Sequence, residues 1–248
     1  MLDEKSGTIS GSHPVVLVTG ANGFVGRHLP PVLFREGWNV RRAVRSLSRA
    51  DDDVAIPSIG PLTDWSEAVR GAQAVVHLAA RVHHPNEEGA VDLYRTVNTE
   101  GTLQLARAAA AAGVTRFIYV STALVNGSCT DGRAPFREDD DFHPRGIYGL
   151  SKAEAELGLA QMSANMPMTV TVLRPPMVYG PGAAGNFKLL VRAIQLGIPL
   201  PFASLRNRRA FVSAQNLASF ITNRLTYFWW RTKNRFRRPS SSVGWRAP

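Results

Sequence analysis

The 248-residue chain has a single cysteine, Cys129. That excludes a disulfide framework and a multi-cysteine metal site, and a reducing compartment, the cytoplasm by default, is expected. No apolar run approaches the ~18 residues of a membrane-spanning helix. Residues 1–13 lack the basic region and apolar core of a secretory signal, and this polar stretch is set aside as a leader. Gly 21 and Pro 16 are too few for a collagen-like or low-complexity chain. Acidic residues are missing from Arg224 onward, where seven Lys or Arg stand. Seven of the ten net positive charges therefore belong to the tail, because residues 1–223 carry 22 basic and 19 acidic residues. A body so nearly balanced gives no electrostatic footprint for specific nucleic-acid binding.

What is present is a globular composition, 44% hydrophobic and 19% charged, with strands alternating with helices. Val15 to Val18 reads as a buried strand. A helical stretch to Arg35 follows it, and Pro30 and Pro31 predict a distorted or kinked helix there. Strands are predicted at Trp38 to Val44, Ala74 to Ala80, Arg116 to Val120 and Thr169 to Leu173. Helices are predicted at Asp64 to Arg70, capped by Thr63 or Asp64, and at Ala90 to Ala112, ending at Gly113. Two more are predicted at Tyr148 to Ala164 and Asn186 to Leu196. Alternation of this kind implies parallel βαβ units. No internal repeat is visible.

Three motifs carry chemistry. Gly20, Gly23 and Gly26 lie between a strand and a helix, where the backbone must turn sharply and can approach a pyrophosphate. The helix N-terminus would add amide donors. Tyr148 and Lys152 share one helix face at i and i+4, and an ammonium beside a phenol lowers its pKa, making it a base for a sugar hydroxyl. Ser121 and Thr122 end a strand at the carboxyl edge of the sheet, where ligands bind in open α/β folds. Each motif alone also has an ordinary explanation: a tight turn, an amphipathic surface pair, a capped strand end. Together and in order they are far less expected by chance.

With these residues the sequence resembles the extended short-chain dehydrogenase/reductase family, and within it the NAD-dependent epimerase/dehydratase group acting on nucleotide sugars. The matching stretches are Val18 to Gly26, His77 to Ala80, Val97 to Thr102, Tyr148 with Lys152, and Leu173 to Gly182. They lie within residues 14–221. The resemblance implies a Rossmann-like doubly wound parallel sheet. It makes Gly20, Gly23 and Gly26, with Asn22, Phe24 and Val25, the pyrophosphate turn. Leu78, Ala79 and Ala80 would lie beside the nicotinamide ribose, with Pro175 and Val178 near the nicotinamide. Tyr148 would be the catalytic base, Lys152 the ribose anchor, and Thr122, with Ser121 beside it, the catalytic hydroxyl. Asn186 and Arg209 would reach the substrate diphosphate. The implied activity is that of an NAD(P)-dependent nucleotide-sugar 4-epimerase or 4-keto reductase, of the UDP-hexose or UDP-N-acetylhexosamine class. The rival is a dinucleotide-binding module without turnover.

Departures from the family pattern sharpen the expectation. Ala123 and Leu124 replace the Asp-Glu that dehydratases carry after the catalytic threonine, so 4,6-dehydration has no evident acid–base pair. Arg45 stands near the end of the second strand where NAD enzymes usually place an acid. It would welcome a 2′-phosphate, which leaves NAD and NADP both open. His83-His84 has no third ligand spaced to make a metal site, and Glu138 to Asp141 reads as a solvated loop; no metal is expected.

The largest departure is the end. From Arg224 the sequence turns basic and aromatic, with three of the five tryptophans. The expected organisation is a leader at 1–13 and a dinucleotide domain at 14–223, with partial substrate elements at about 175–223. An irregular tail follows at 224–248. The tail reads as a truncated or replaced C-terminus, leaving an incomplete substrate lobe. The alternative is a weak contact with anionic surfaces. A homodimer is left open.

Overall fold

A computed structural model describes residues 13–47, 52–82, 90–183, 186–198 and 209–226. The expectations placed on the leader before His13, on His83-His84 and on the tail beyond Thr226 lie outside the described residues.

Six parallel strands form one sheet: β1 (Val15–Thr19), β2 (Asn39–Val44), β3 (Asp53–Ala55), β4 (Ala72–His77), β5 (Arg116–Val120) and β6 (Thr169–Leu173). Their order is β3-β2-β1-β4-β5-β6. The chain winds outward from β1 in one direction, returns to β4, and winds outward in the other. The topological switch thus falls between β1 and β4, and ligand crevices open at the carboxyl ends of such a pair. This is the expected Rossmann-like fold. Two details differ from the sequence reading. β3 was not foreseen, because Asp-Val-Ala is too short to show a pattern. β4 stops at His77, so Leu78 to Ala80 leave the sheet instead of extending it.

Alternation along the strands feeds two cores. Leu17, Val75, Phe117 and Tyr119 point to one face and pack with Leu105, Ala109, Ala155 and Leu159. These come from α4 (Gly101–Ala111) and α5 (Gly146–Ser163). Val16, Val18, Val76, Ile118 and Val120 point to the other face, against Leu29 and Leu33 of α1 (Leu29–Arg35) and Leu217, Ala218, Ile221 and Leu225 of α7 (Ala214–Thr226). Short α2 (Ser66–Val69) is opened by the Asp64 carboxylate, which accepts from the Ser66 amide at 2.9 Å.

The structure corrects two expectations about helices. Pro30 and Pro31 do not kink a running helix. The chain first makes a 3-10 turn at Gly26–His28, and α1 starts at Leu29, so both prolines fall in its first turn, where amides have no intrahelical acceptor. The stretch expected as one helix from Ala90 is α3 (Val91–Tyr94), a π-helical turn (Arg95–Glu100) and then α4.

The boundary at 223/224 also moves. It cuts α7, whose last turn is docked: Leu225 is fully buried, its carbonyl accepts from Arg116, and the Thr226 hydroxyl accepts from the Trp38 indole at 3.4 Å. α7 is therefore packed through its whole length on the six-stranded sheet, as part of the second core. The separate elements are a two-stranded parallel pair, β7 (Met177–Tyr179) with β8 (Phe211–Ser213), and α6 (Asn186–Gln195). Both strands are three residues long and were not foreseen.

Candidate active site

The glycine turn leaves β1 with Gly20 at φ 69°. A Cβ on Gly20 would stand 2.7 Å from the Ala79 amide nitrogen, so the two loops that leave β1 and β4 meet backbone to backbone. A Cβ on Gly26 would collide with the Gly20 carbonyl oxygen, and the Gly23 amide donates to that same oxygen at 2.9 Å. The turn is therefore closed on itself and keeps a cradle that any side chain would fill, the shape a pyrophosphate requires. Asn22 and Gly23 are exposed at its tip, and Phe24 and Val25 are half-buried behind it. Leu78, Ala79 and Ala80 line the opposing loop, where the Thr19 hydroxyl accepts from the Ala79 amide at 3.2 Å.

Arg45 follows directly on β2 and is exposed. Its neighbours are committed elsewhere. Arg41 donates to the carbonyls of Ala68 and Arg70, and Arg42 pairs with Asp53 at 2.7 Å. Arg45 makes no hydrogen bond or ion pair among the described residues.

Tyr148 lies in the first turn of α5, half-buried, and Lys152 one turn on is almost wholly buried. The Lys152 ammonium sits over the Tyr119 ring, 4.1 Å from its centroid. The backbone of Gly149 packs on Leu124, and the Arg145 amide donates to the Leu124 carbonyl at 3.0 Å, so the turn after β5 is held against the start of α5. This turn carries Ser121 and Thr122. The Thr122 hydroxyl oxygen caps it by accepting from the Leu124 amide at 3.3 Å, which leaves its proton free to donate. Ser121 is buried and its hydroxyl has no hydrogen-bond partner among the described residues.

The expected lowering of the phenol does not appear. Burial pushes Tyr148 up to about 12, helped by the nearby Tyr94, and burial pushes Lys152 down to about 7 against the pull of Glu156. Desolvation disfavours the charged form of each group and is the largest cause of both shifts. In the protein alone, the phenol keeps its proton.

Pro175 lies at the carboxyl end of β6, its carbonyl accepting from the Ala123 amide at 3.0 Å, and Val178 in β7 packs on the second core. Both flank the Thr122 turn and the sheet edge. Asn186 opens α6, and Arg209 is exposed just before β8. Among the described residues, Arg209 makes no contact with the Tyr148 side chain. Among the described residues, no group of three or more His, Cys, Asp or Glu is placed to hold a metal.

A buried polar chain went unread in the sequence. The Thr19 hydroxyl, already accepting from Ala79, donates to His77 Nδ1 at 2.6 Å. His77 Nε2 donates to the Thr102 hydroxyl at 2.9 Å, and Thr102 donates to the Asn98 carbonyl at 2.6 Å. This direction follows from the one proton that each hydroxyl has to give. Asn98 in the π-helical turn accepts from the Arg81 amide at 2.7 Å and donates to the Arg81 carbonyl and the Ser151 hydroxyl. Ser151 donates to the Tyr148 carbonyl at 2.9 Å. The loop beside the glycine turn is thus tied through β4 and the π turn to the Tyr148 helix. Burial holds His77 down at about 3, so the ring is neutral. The sequence signals for this arrangement were the stretches His77 to Ala80 and Val97 to Thr102, which matched the family pattern without indicating that they bond to each other.

The family model for the NAD dependent epimerase/dehydratase family matches residues 16–227. The chain belongs to this family. The UDP-glucose 4-epimerase of Vibrio cholerae is 41% identical over 212 residues, which cover 83% of this chain and 65% of that protein. The GDP-6-deoxy-D-mannose reductase of Pseudomonas aeruginosa is 33% identical, covering 73% of this chain and 58% of the relative. Among solved structures, MoeE5 in complex with UDP-glucuronic acid and NAD superposes with a TM-score of 0.73 at 27% identity, over 89% of this chain and 73% of that one. The chain thus spans about two thirds or less of the length of these curated relatives.

Proposed function

We propose that this chain is an NAD(P)-dependent nucleotide-sugar 4-epimerase or 4-keto reductase of the UDP-hexose or UDP-N-acetylhexosamine class. The observation that supports it most is the meeting of a side-chain-free cradle at Gly20 and Gly26 with a Tyr–Lys helix and a Ser–Thr turn at one edge of a parallel sheet. The 41% identity to a UDP-glucose 4-epimerase points the same way. The residues fit the dinucleotide: the cradle would hold its pyrophosphate, Lys152 its ribose, and Arg45 a 2′-phosphate where one is present. When bound, the dinucleotide supplies hydride exchange with the sugar carbon.

The chain's own residues do the rest. Tyr148 holds and releases the proton of the sugar 4-hydroxyl. Thr122, its lone pair engaged by Leu124 and its proton free, donates to the reacting oxygen and orients it. Lys152 brings positive charge to the phenol's helix face. Asn186 and Arg209 reach the substrate diphosphate. Replacing Tyr148 with Phe is expected to cut turnover by about 100- to 10,000-fold and leave dinucleotide affinity unchanged. Turnover at the parental rate would refute the reading.

A second reading, dinucleotide binding without turnover, draws on one observation, a phenol that burial pushes up to about 12. Calorimetric titration with NAD, NADP and UDP-sugars separates the two readings. The first reading places the protein in the cytoplasm. Sedimentation tests its homodimer, and salt-dependent vesicle binding tests contact of the basic tail with anionic surfaces.

A further inference from the structure

Lys152 and Glu156 stand at i and i+4 on α5, both more than nine-tenths buried. Two opposite charges at that spacing in a dry interior would ordinarily close into an ion pair. They do not pair here. Both Glu156 oxygens are taken by Arg174, from the residue after β6. Its Nε donates at 2.9 and 3.3 Å, and its Nη2 at 2.7 Å. The remaining nitrogen, Nη1, donates to the Asn126 side-chain oxygen and the Glu138 carbonyl, and the Phe142 ring covers the guanidinium at 4.9 Å. Glu156 is also the last acidic residue of the sequence; the 92 residues after it carry 13 Lys or Arg and no Asp or Glu.

We propose that Arg174 is a positioning residue for Lys152. By occupying both Glu156 oxygens, it prevents the buried carboxylate from capturing the Lys152 ammonium. The ammonium is then left over the Tyr119 ring, on the helix face that Tyr148 shares. A rigid planar guanidinium that sets two donors on Oε2 and reaches Oε1 with the second branch of Nε outcompetes a single flexible ammonium for the carboxylate. Lys152 makes no hydrogen bond or ion pair among the described residues, as a group held ready for an incoming partner should. The same guanidinium ties the loop that carries Asn126, Glu138 and Phe142 to the end of β6. The proposal rests on the reading of Tyr148 and Lys152 as the reacting pair, and its test requires no turnover.

The test follows the Lys152 side chain by lysine-selective carbon-13 NMR titration of the full chain. Only four lysines are present, Lys5, Lys152, Lys188 and Lys233, and the Lys152 signal is the one missing from Lys152→Met. The titratable groups facing Lys152 are His77 on β4, Tyr119 on β5, and Tyr148 and Glu156 on α5. Arg174→Met leaves Glu156 uncompensated, and the Lys152 midpoint should rise by about one pH unit or more. Glu156→Gln, which keeps shape and volume, should lower it. The double variant Arg174→Met with Glu156→Gln should show no rise. A purely structural ion pair predicts lower melting temperatures with an unmoved midpoint. An unmoved midpoint in Arg174→Met, or an equal rise in the double variant, overturns the proposal. If Arg174→Met does not fold, Glu156→Gln decides alone, and an unchanged midpoint there refutes it. Loss of activity in Tyr148→Phe bears on the reaction and leaves this titration untouched.

Discussion

The two sides of the crevice differ in how far their own residues complete them. On the dinucleotide side every buried strand faces a helix, the glycine turn closes on itself, and the chain from Ala79 through His77 to Asn98 satisfies its donors in one direction. On the far side, α6 with the turn after it and the β7–β8 pair expose Met177, Leu189, Ile194, Leu196 and Phe211. The difference teaches that the cofactor half is specified by contiguous stretches of this chain. The other half presents an apolar face that calls for a cover.

The strongest way to break this comparison is to shorten the chain. Deleting residues 224–248 removes Leu225 and the hydrogen bonds to Arg116 and Trp38. Loss of one buried leucine costs about 2–5 kcal/mol, and the dinucleotide half should melt well below the parent. Deleting 227–248 keeps all of α7, and melting temperature and NAD affinity should stay at parental values. Equal effects from the two deletions would show that α7 is not part of the dinucleotide half.

Acid is the next test. His77 is neutral in the fold at any pH above about 3 and has an ordinary value of 6.5 when unfolded. Between those values the unfolded chain binds the extra proton, so stability rises with pH through this window and is lost as pH falls from about 6.5 to about 3. His77→Asn should flatten that loss. Chemical denaturation at pH 7, 5 and 4 measures it, and parallel curves for parent and variant would contradict the neutral, doubly bonded ring.

How much of this was legible in the sequence follows the same division. β1, β5 and β6 were readable because each is a short apolar run of β-branched and aromatic residues between turn signals. The glycine turn and the Tyr148–Lys152 spacing were readable because their members are near neighbours. β3, β7 and β8 were not, since three residues carry no period. The π-helical turn was hidden because the contact made from it, the Asn98 side chain on the Arg81 backbone, spans 17 residues of sequence. α7 was missed because a change of composition near Arg224 masked an apolar stripe at Leu217, Ile221 and Leu225 that continues through it. The phenol's ionisation was misread because spacing shows the ammonium and not the desolvation that opposes it.

A finer test concerns cofactor choice on the complete side. Arg45 is exposed and its neighbours Arg41 and Arg42 are spent on other partners, so it alone among them can meet a 2′-phosphate. A charge-assisted contact of about 1.5–3 kcal/mol means that Arg45→Ala should weaken NADP by about 10- to 100-fold. NAD should change by less than about twofold. Equal losses, read by calorimetry with both dinucleotides, would remove Arg45 from the site.

The smallest effect is expected on the incomplete side. Leu189 and Ile194 lie on α6 with more than half of each exposed. Placing carboxylates there buries no charge and opens no cavity, so Leu189→Glu with Ile194→Glu should shift folding stability by only about 0.5 kcal/mol. An exposed apolar patch drives self-association whatever the state of the core, and added acidic groups oppose it. The soluble fraction should therefore rise and sedimentation should move toward a single small species, with NAD affinity unchanged. A loss of stability well above 1 kcal/mol would mean that these side chains are packed in solution. The far side would then be as complete as the dinucleotide side, and the contrast between the two halves would fail.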